Sequence, residues 1–215
     1  MNPKIHRFIL TKVLGWHITP GEDVVPEEKK GIFLFAPHTS IWDFVLGLFY
    51  FRSLDGRLHI MIKKEAFKGP LGWILRKLGA FPIDRKNPSG ALMPLIHAIN
   101  ESENFYLVIC PEGTRKPIRK WKTGYHTIAM QTGVPVFLSH ADYKKKEIGY
   151  GKKFALNGDA REDTARIQQE YKKMGLTRKG AMEKYLKIVK SAMEHGIRPR
   201  CHLEDITRAD FYGFV

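Results

Sequence analysis

Short uninterrupted apolar runs alternate along the chain with longer stretches in which apolar residues recur every three or four positions. The short runs cover residues 32–36, 58–62, 81–83 and 105–110, with another at 134–138, and each reads as a buried strand. The longer stretches cover 42–51, 69–78, 89–100 and 123–131 and predict helices, with Pro94 falling inside the third. Strands separated by helical segments of about 10 to 15 residues predict an α/β fold, a mostly parallel central sheet flanked by helices. Beyond Asp142 the pattern changes. Residues 148–156, with Gly149 and Gly151, predict an edge hairpin, 159–173 and 178–194 predict charged helices, and 201–215 read as a tail. Without repeats or a linker, the expected organisation is a first segment at 1–20, one domain at 21–200, and the tail.

Two segments raise the question of a membrane. From 31 to 51 the only charged residue is Asp43, so a hydropathy window of about 19 residues takes this stretch for a span. Pro37, His38, Thr39, Ser40 and Asp43 interrupt it, and polar groups in hydrocarbon are costly, so two elements joined by a polar turn are expected instead. In the first twenty residues Lys4, Arg7 and Lys12 are interleaved with Ile5, Phe8, Ile9, Val13, Leu14 and Trp16. This segment is too short and too charged to span and lacks the apolar core of a signal peptide. It reads as a short amphipathic helix, with two destinations open: an anionic interface with Trp16 at headgroup depth, or the domain's own core.

Composition narrows the function. With 43% hydrophobic residues and 12% aromatics the chain of 215 residues folds, and 36 Lys and Arg against 22 Asp and Glu leave a net charge of +14. That excess calls for an anionic partner: nucleic acid, a lipid surface or a phosphorylated substrate. No zinc-finger spacing and no RRM signature accompany it, so nucleic acid is not the expected partner. Cys110 and Cys201 are the only cysteines, which argues against a disulfide framework or a structural zinc and suits a reducing compartment.

Chemistry in open α/β sheets gathers in loops at the carboxyl ends of strands, here 37–43, 63–68, 84–87 and 111–122. The first loop carries His38 and Asp43 where a strand hands over to a helix. A carboxylate in the first helical turn can accept a hydrogen bond from Nδ1 and leave Nε2 as a general base. The alternative is that Asp43 or Ser40 caps the helix. Nucleophile signatures such as GxSxG are absent, and Cys110, closing an apolar strand, reads as a buried small residue. A His–Asp pair without its own nucleophile points to a substrate hydroxyl as the attacking group. In the loop Pro111-Glu112-Gly113-Thr114-Arg115, glycine allows close backbone approach, Thr114 offers a hydroxyl, and Arg115 can grip an oxyanion. Arg85, after Asp84, adds a guanidinium that taken alone reads equally as a surface cation.

Taken together, His38 to Asp43, Phe81-Pro82-Ile83-Asp84-Arg85, Pro111-Glu112-Gly113-Thr114-Arg115, the basic turn Trp121-Lys122-Thr123-Gly124 and Val134-Pro135-Val136 follow one another in a recognisable order. The chain resembles the glycerolipid acyltransferase family typified by 1-acyl-sn-glycerol-3-phosphate acyltransferase, with its HxxxxD, Arg and EGTR blocks. Pro37, where Asn often precedes the histidine, and Leu138, where a second proline is common, depart from the pattern.

The resemblance implies transfer of a fatty acyl group from acyl-CoA or acyl carrier protein to a lysophospholipid hydroxyl, with 1-acyl-sn-glycerol-3-phosphate the expected acceptor. A lyso-aminolipid or glycerol 3-phosphate is the alternative acceptor. It implies His38 as base and Asp43 as its orienting partner. Arg85, Arg115 and Lys122 would bind the phosphate, Gly113 and Thr114 would belong to the substrate loop, and Glu112 would orient a cation or the acceptor. No cofactor or metal is implied, and the expected location is peripheral, at the cytoplasmic face of an anionic membrane.

Overall fold

The computed structural model describes residues 2–24, 26–40, 42–54, 58–84, 88–115, 118–176, 190–191 and 193–195. The strands are β1 (His17–Ile18), β2 (Lys30–Phe35), β3 (Leu58–Lys63), β4 (Ala80–Ile83), β5 (Phe105–Ile109), β6 (Val136–Asp142) and β7 (Glu147–Phe154). They form one sheet in the order β1-β7-β6-β2-β5-β3-β4, parallel except between β6 and β7. The helices are α1 (Pro3–Phe8), α2 (Trp42–Ser53), α3 (Gly69–Lys77), α4 (Pro88–Glu101), α5 (Gly124–Thr132) and α6 (Ala160–Lys173). The helix predicted over 178–194 and the tail lie outside the described residues, apart from 190, 191, 193 and 194.

The central strand explains the uninterrupted apolar runs. On β2 and just beyond it, Ile32, Leu34 and Ala36 enter one core with Leu95 and Ile99 of α4, Ile128 of α5 and Ile167 of α6. Phe33 and Phe35 enter a second core with Leu46, Tyr50 and Phe51 of α2. A strand covered on both faces loses the polar alternation of a half-solvated one. Tyr171 of α6 locks the first layer to the sheet by donating its hydroxyl to the Leu34 and Ser139 carbonyls. Pro94 lies inside α4, which runs through it.

Two expectations change. The hairpin lies between β6 and β7, not within 148–156, and β7 runs straight through both glycines. Its turn is at 143–146, where the Asp142 carboxylate accepts the Lys144 and Lys145 N–H groups. Nor is β7 the edge, because β1 pairs with its other side. Gly149 serves close packing here: a Cβ would meet Glu22 Oε2 at 1.8 Å and Thr19 Oγ1 at 2.6 Å.

One side of the amino-terminal segment packs on the domain's own core. A π-turn over Ile9–Val13 continues α1, and His6, Leu10 and Trp16 are buried, with Trp16 only 7% exposed. Trp16 therefore does not stand at headgroup depth, although Ile5, Phe8 and Val13 face outward. Among the described residues, no helix is long and apolar enough to cross a membrane.

Candidate active site

The carboxyl ends of β2 and β5, paired neighbours in the sheet, bring the first and last loops together. The chain leaves β2 through a cis Ala36–Pro37 peptide and reaches His38 before α2 begins. Asp43, in the first turn of α2, folds back so that its Oδ2 lies 2.9 Å from His38 Nδ1. The same oxygen accepts the Thr39 N–H at 2.8 Å and the Ser40 N–H at 2.9 Å. Ser40 Oγ meanwhile accepts the Trp42 N–H at 3.2 Å. Capping and dyad geometry thus coexist, with Ser40 serving the helix end and Asp43 the imidazole.

Asp43 is buried, and burial by itself would raise its carboxyl. The hydrogen bonds from His38, Ser40, Tyr143 and Thr39 outweigh this and hold it below the ordinary aspartate value. The carboxylate therefore stays charged at neutral pH. His38 Nδ1 is the ring nitrogen that faces this carboxylate.

Glu112 is buried beside this pair, and its Oε2 accepts the His38 backbone N–H at 2.6 Å. This contact adds a task that the sequence reading did not contain: Glu112 holds the histidine's own backbone. The turn it begins contains Gly113 at φ 63, where glycine is favoured. Gly113 N–H donates to the Cys110 carbonyl at 2.9 Å, which removes that particular N–H as an oxyanion donor. Lys122 is drawn to the same place by its N–H bond to the Pro111 carbonyl at 2.7 Å, and its Cγ would lie 3.5 Å from a Cβ at position 113. Thr114 is half-buried and Arg115 exposed on the same turn. Arg85 lies outside the described residues. Burial, then the charges of Asp43 and Glu112, raise the Cys110 thiol, consistent with its reading as a packing residue.

A cavity of about 870 Å³ opens at the carboxyl ends of β3 and β4. Met61, Phe67, Phe81 and Leu95 give it apolar walls, and its margin is charged with both signs, Lys64, Lys68 and Arg76 beside Glu65 and Asp84. Since β3 pairs with β5, it lies one strand away from the Glu112 loop.

Tyr143 is the residue that the sequence reading missed. It sits in the β6–β7 turn and donates its hydroxyl to Asp43 Oδ1 at 2.5 Å. Nothing local in the sequence marks it, because the contact depends on the hairpin folding back over the sheet end.

A family profile described as Acyltransferase matches residues 18–137, which include His38, Asp43, Glu112 and Lys122. The chain belongs to this acyltransferase family. Over 94 residues it is 34% identical to the 1-acyl-sn-glycerol-3-phosphate acyltransferase of Streptococcus pneumoniae, covering 43% of this chain and 35% of that protein. A 45-residue stretch is 64% identical to the citrate (Re)-synthase of Clostridium kluyveri, covering 21% of this chain and 10% of the synthase. The chain thus spans about a tenth of one relative and about a third of the other. The crystal structure of the 1-acyl-sn-glycerophosphate (LPA) acyltransferase PlsC from Thermotoga maritima shares the fold, with a TM-score of 0.55 at 19% identity. That match covers 81% of this chain and 76% of that one.

Proposed function

We propose that this acyltransferase moves a fatty acyl group from acyl-CoA or acyl carrier protein to the free hydroxyl of 1-acyl-sn-glycerol-3-phosphate, giving phosphatidate. The observation that carries the reading is the buried Asp43 carboxylate 2.9 Å from His38 Nδ1, beside a loop rich in cations. His38 Nε2 takes the proton of the acceptor hydroxyl as its oxygen attacks the thioester carbonyl carbon. The tetrahedral oxyanion then collapses, the C–S bond breaks, and the imidazolium returns its proton to the departing thiolate. The thioester is already activated, so deprotonation, orientation and charge stabilisation supply the catalysis. Arg115 and Lys122, with Arg85, bind the acceptor phosphate, and the apolar walls of the cavity at the carboxyl ends of β3 and β4 suit an acyl chain.

The test is a panel of lyso acceptors offered with both donors and read by mass spectrometry. Phosphatidate from lysophosphatidate is the expected main product, and exclusive acylation of a lyso-aminolipid or glycerol 3-phosphate would reject this acceptor. In the same assay Arg115→Ala is expected to raise KM for lysophosphatidate about tenfold, with kcat changing less, because a charge-assisted phosphate contact is lost. An unchanged KM removes Arg115 from the phosphate site.

The reading includes attachment at an anionic membrane surface, and α3 supports it. Its core side is Gly72 and Leu75. At about 100° per residue, Trp73, Ile74 and Lys77 fall on the opposite side, where a surface helix is ordinarily polar. Trp73 is 61% exposed, Leu71 and Ile74 are exposed beside it, and Lys77 Nζ stands 4.0 Å from the Trp73 ring centroid. An apolar face with a tryptophan and a basic rim matches an anionic interface. Trp73→Ser is expected to weaken co-sedimentation with phosphatidylglycerol vesicles about tenfold, by loss of buried aromatic area. Equal binding by the variant would mean that α3 does not meet the membrane.

A further inference from the structure

The two oxygens of the buried Asp43 carboxylate are served from different parts of the chain. Oδ2 takes His38 Nδ1 and the N–H groups of Thr39 and Ser40, all from its own loop. Oδ1 takes the Tyr143 hydroxyl, from a turn 100 residues further along. The terminal torsion of an aspartate is soft, so donors on both oxygens are what define its plane. That plane in turn aims the Nδ1–H bond and with it the imidazole.

The amino-terminal segment holds Tyr143 in place. Trp16 meets the Tyr143 ring edge-on, with centroids 5.0 Å apart and planes at 88°. The next residue, His17, donates its N–H to the Lys146 carbonyl at 2.7 Å, at the far end of the same turn. Asp142 fixes the near end through the Lys144 and Lys145 N–H groups. The turn is therefore braced from the amino terminus and from within.

We infer that Tyr143 is a positioning residue for acyl transfer: its hydroxyl orients the Asp43 carboxylate that orients His38, and the Trp16–His17 segment holds it there. This rests on the reading of His38 as base. In chemical terms, loss of the hydroxyl leaves Oδ1 without its tyrosine donor and the carboxylate more basic. A more basic carboxylate holds an imidazolium more firmly, so a larger share of the enzyme is already protonated at a given pH. The titratable groups around the contact are His38, Cys110 and Glu112 on the Asp43 side and Asp142, Lys144, Lys145 and Lys146 on the turn. Tyr143→Phe alters none of these charges and keeps the ring against Trp16, and Tyr143 is 44% exposed, so the variant folds.

The experiment measures kcat, KM and the pH profile for Tyr143→Phe beside His38→Ala, with acyl-CoA and lysophosphatidate and with thiol release as the signal. Tyr143→Phe is expected to lower kcat about tenfold, the effect of one hydrogen bond to a charged group, with KM within about twofold. The acidic limb of its kcat/KM profile is expected to move to higher pH. Wild-type kcat, or a lower kcat with an unmoved limb, overturns the inference even when His38→Ala is inactive. Full activity in His38→Ala instead defeats the base assignment itself, and the inference falls with it.

Discussion

His38→Ala is expected to lose acyl transfer by about 10²- to 10⁴-fold, the range for removal of a well-placed general base, while its melting temperature changes little. The proposed mechanism gives the proton to His38, since Asp43 is occupied by four donors and burial raises the Cys110 thiol. The fold is spared because His38 belongs to neither hydrophobic core. Its removal also leaves the Asp43 carboxylate the Thr39, Ser40 and Tyr143 donors. Thiol release at saturating acceptor and circular dichroism on the same preparation separate the two effects. Wild-type turnover in a folded His38→Ala protein would exclude the mechanism. The pH dependence of stability has a definite sign here. Asp43 titrates below its ordinary value in the folded protein, so its stabilising contribution is complete above the unfolded carboxyl's pKa and is lost as pH falls through the lower folded one.

The largest effect on stability is expected from a residue remote from the reaction. Asp163→Ala should lower stability by about 3–5 kcal/mol, the cost of taking a buried acceptor from several donors at once. Asp163 in α6 is 0% exposed. It receives His126 Nε2 at 3.1 Å, Arg166 Nη1 at 2.8 Å and the Asn157 N–H at 2.9 Å. Alanine would leave the buried His126 of α5 and the loop before α6 without this acceptor. Next to the network, the Tyr125 hydroxyl and Thr164 Oγ1 lie 2.8 Å apart and tie the same two helices. For a protein of this size the change corresponds to a fall in melting temperature of about 10 °C, readable by thermal unfolding. A shift under about 2 °C would mean that packing alone holds α6 to the sheet.

These two residues differ in how far the sequence announced them. His38 and Asp43 lie five positions apart across a strand-to-helix junction, and the contact between them is local, so spacing allowed it beside plain helix capping and the family resemblance favoured it. Asp163 and His126 lie 37 positions apart on different helices, and each looks like an ordinary surface residue in its own segment. Glu112 was singled out as part of a recognisable block, yet its bond to the His38 backbone spans 74 positions and depends on the β2–β5 register. The hairpin was misplaced because glycines at 149 and 151 look like turn residues, whereas Gly149 is required by the side chains of Thr19 and Glu22 crossing over it.

By itself, then, the sequence determined the α/β class, most strand and helix positions, and the placing of His38 and Asp43 at one strand-to-helix junction, because hydrophobic period and short-range spacing are written along the chain. Tertiary structure alone decided three matters. Trp16 turned inward because Tyr143 and the second core offered its ring more contact than its own imperfectly amphipathic helix could define. Tyr143 reached Asp43 because β6 and β7 pair antiparallel and return the turn over the sheet end. Trp73 came to stand exposed, since only the docking of α3 through Gly72 and Leu75 settles which of its two apolar sides faces out. Each depends on contacts between segments far apart in the chain, whose formation follows from packing and register, not from local periodicity.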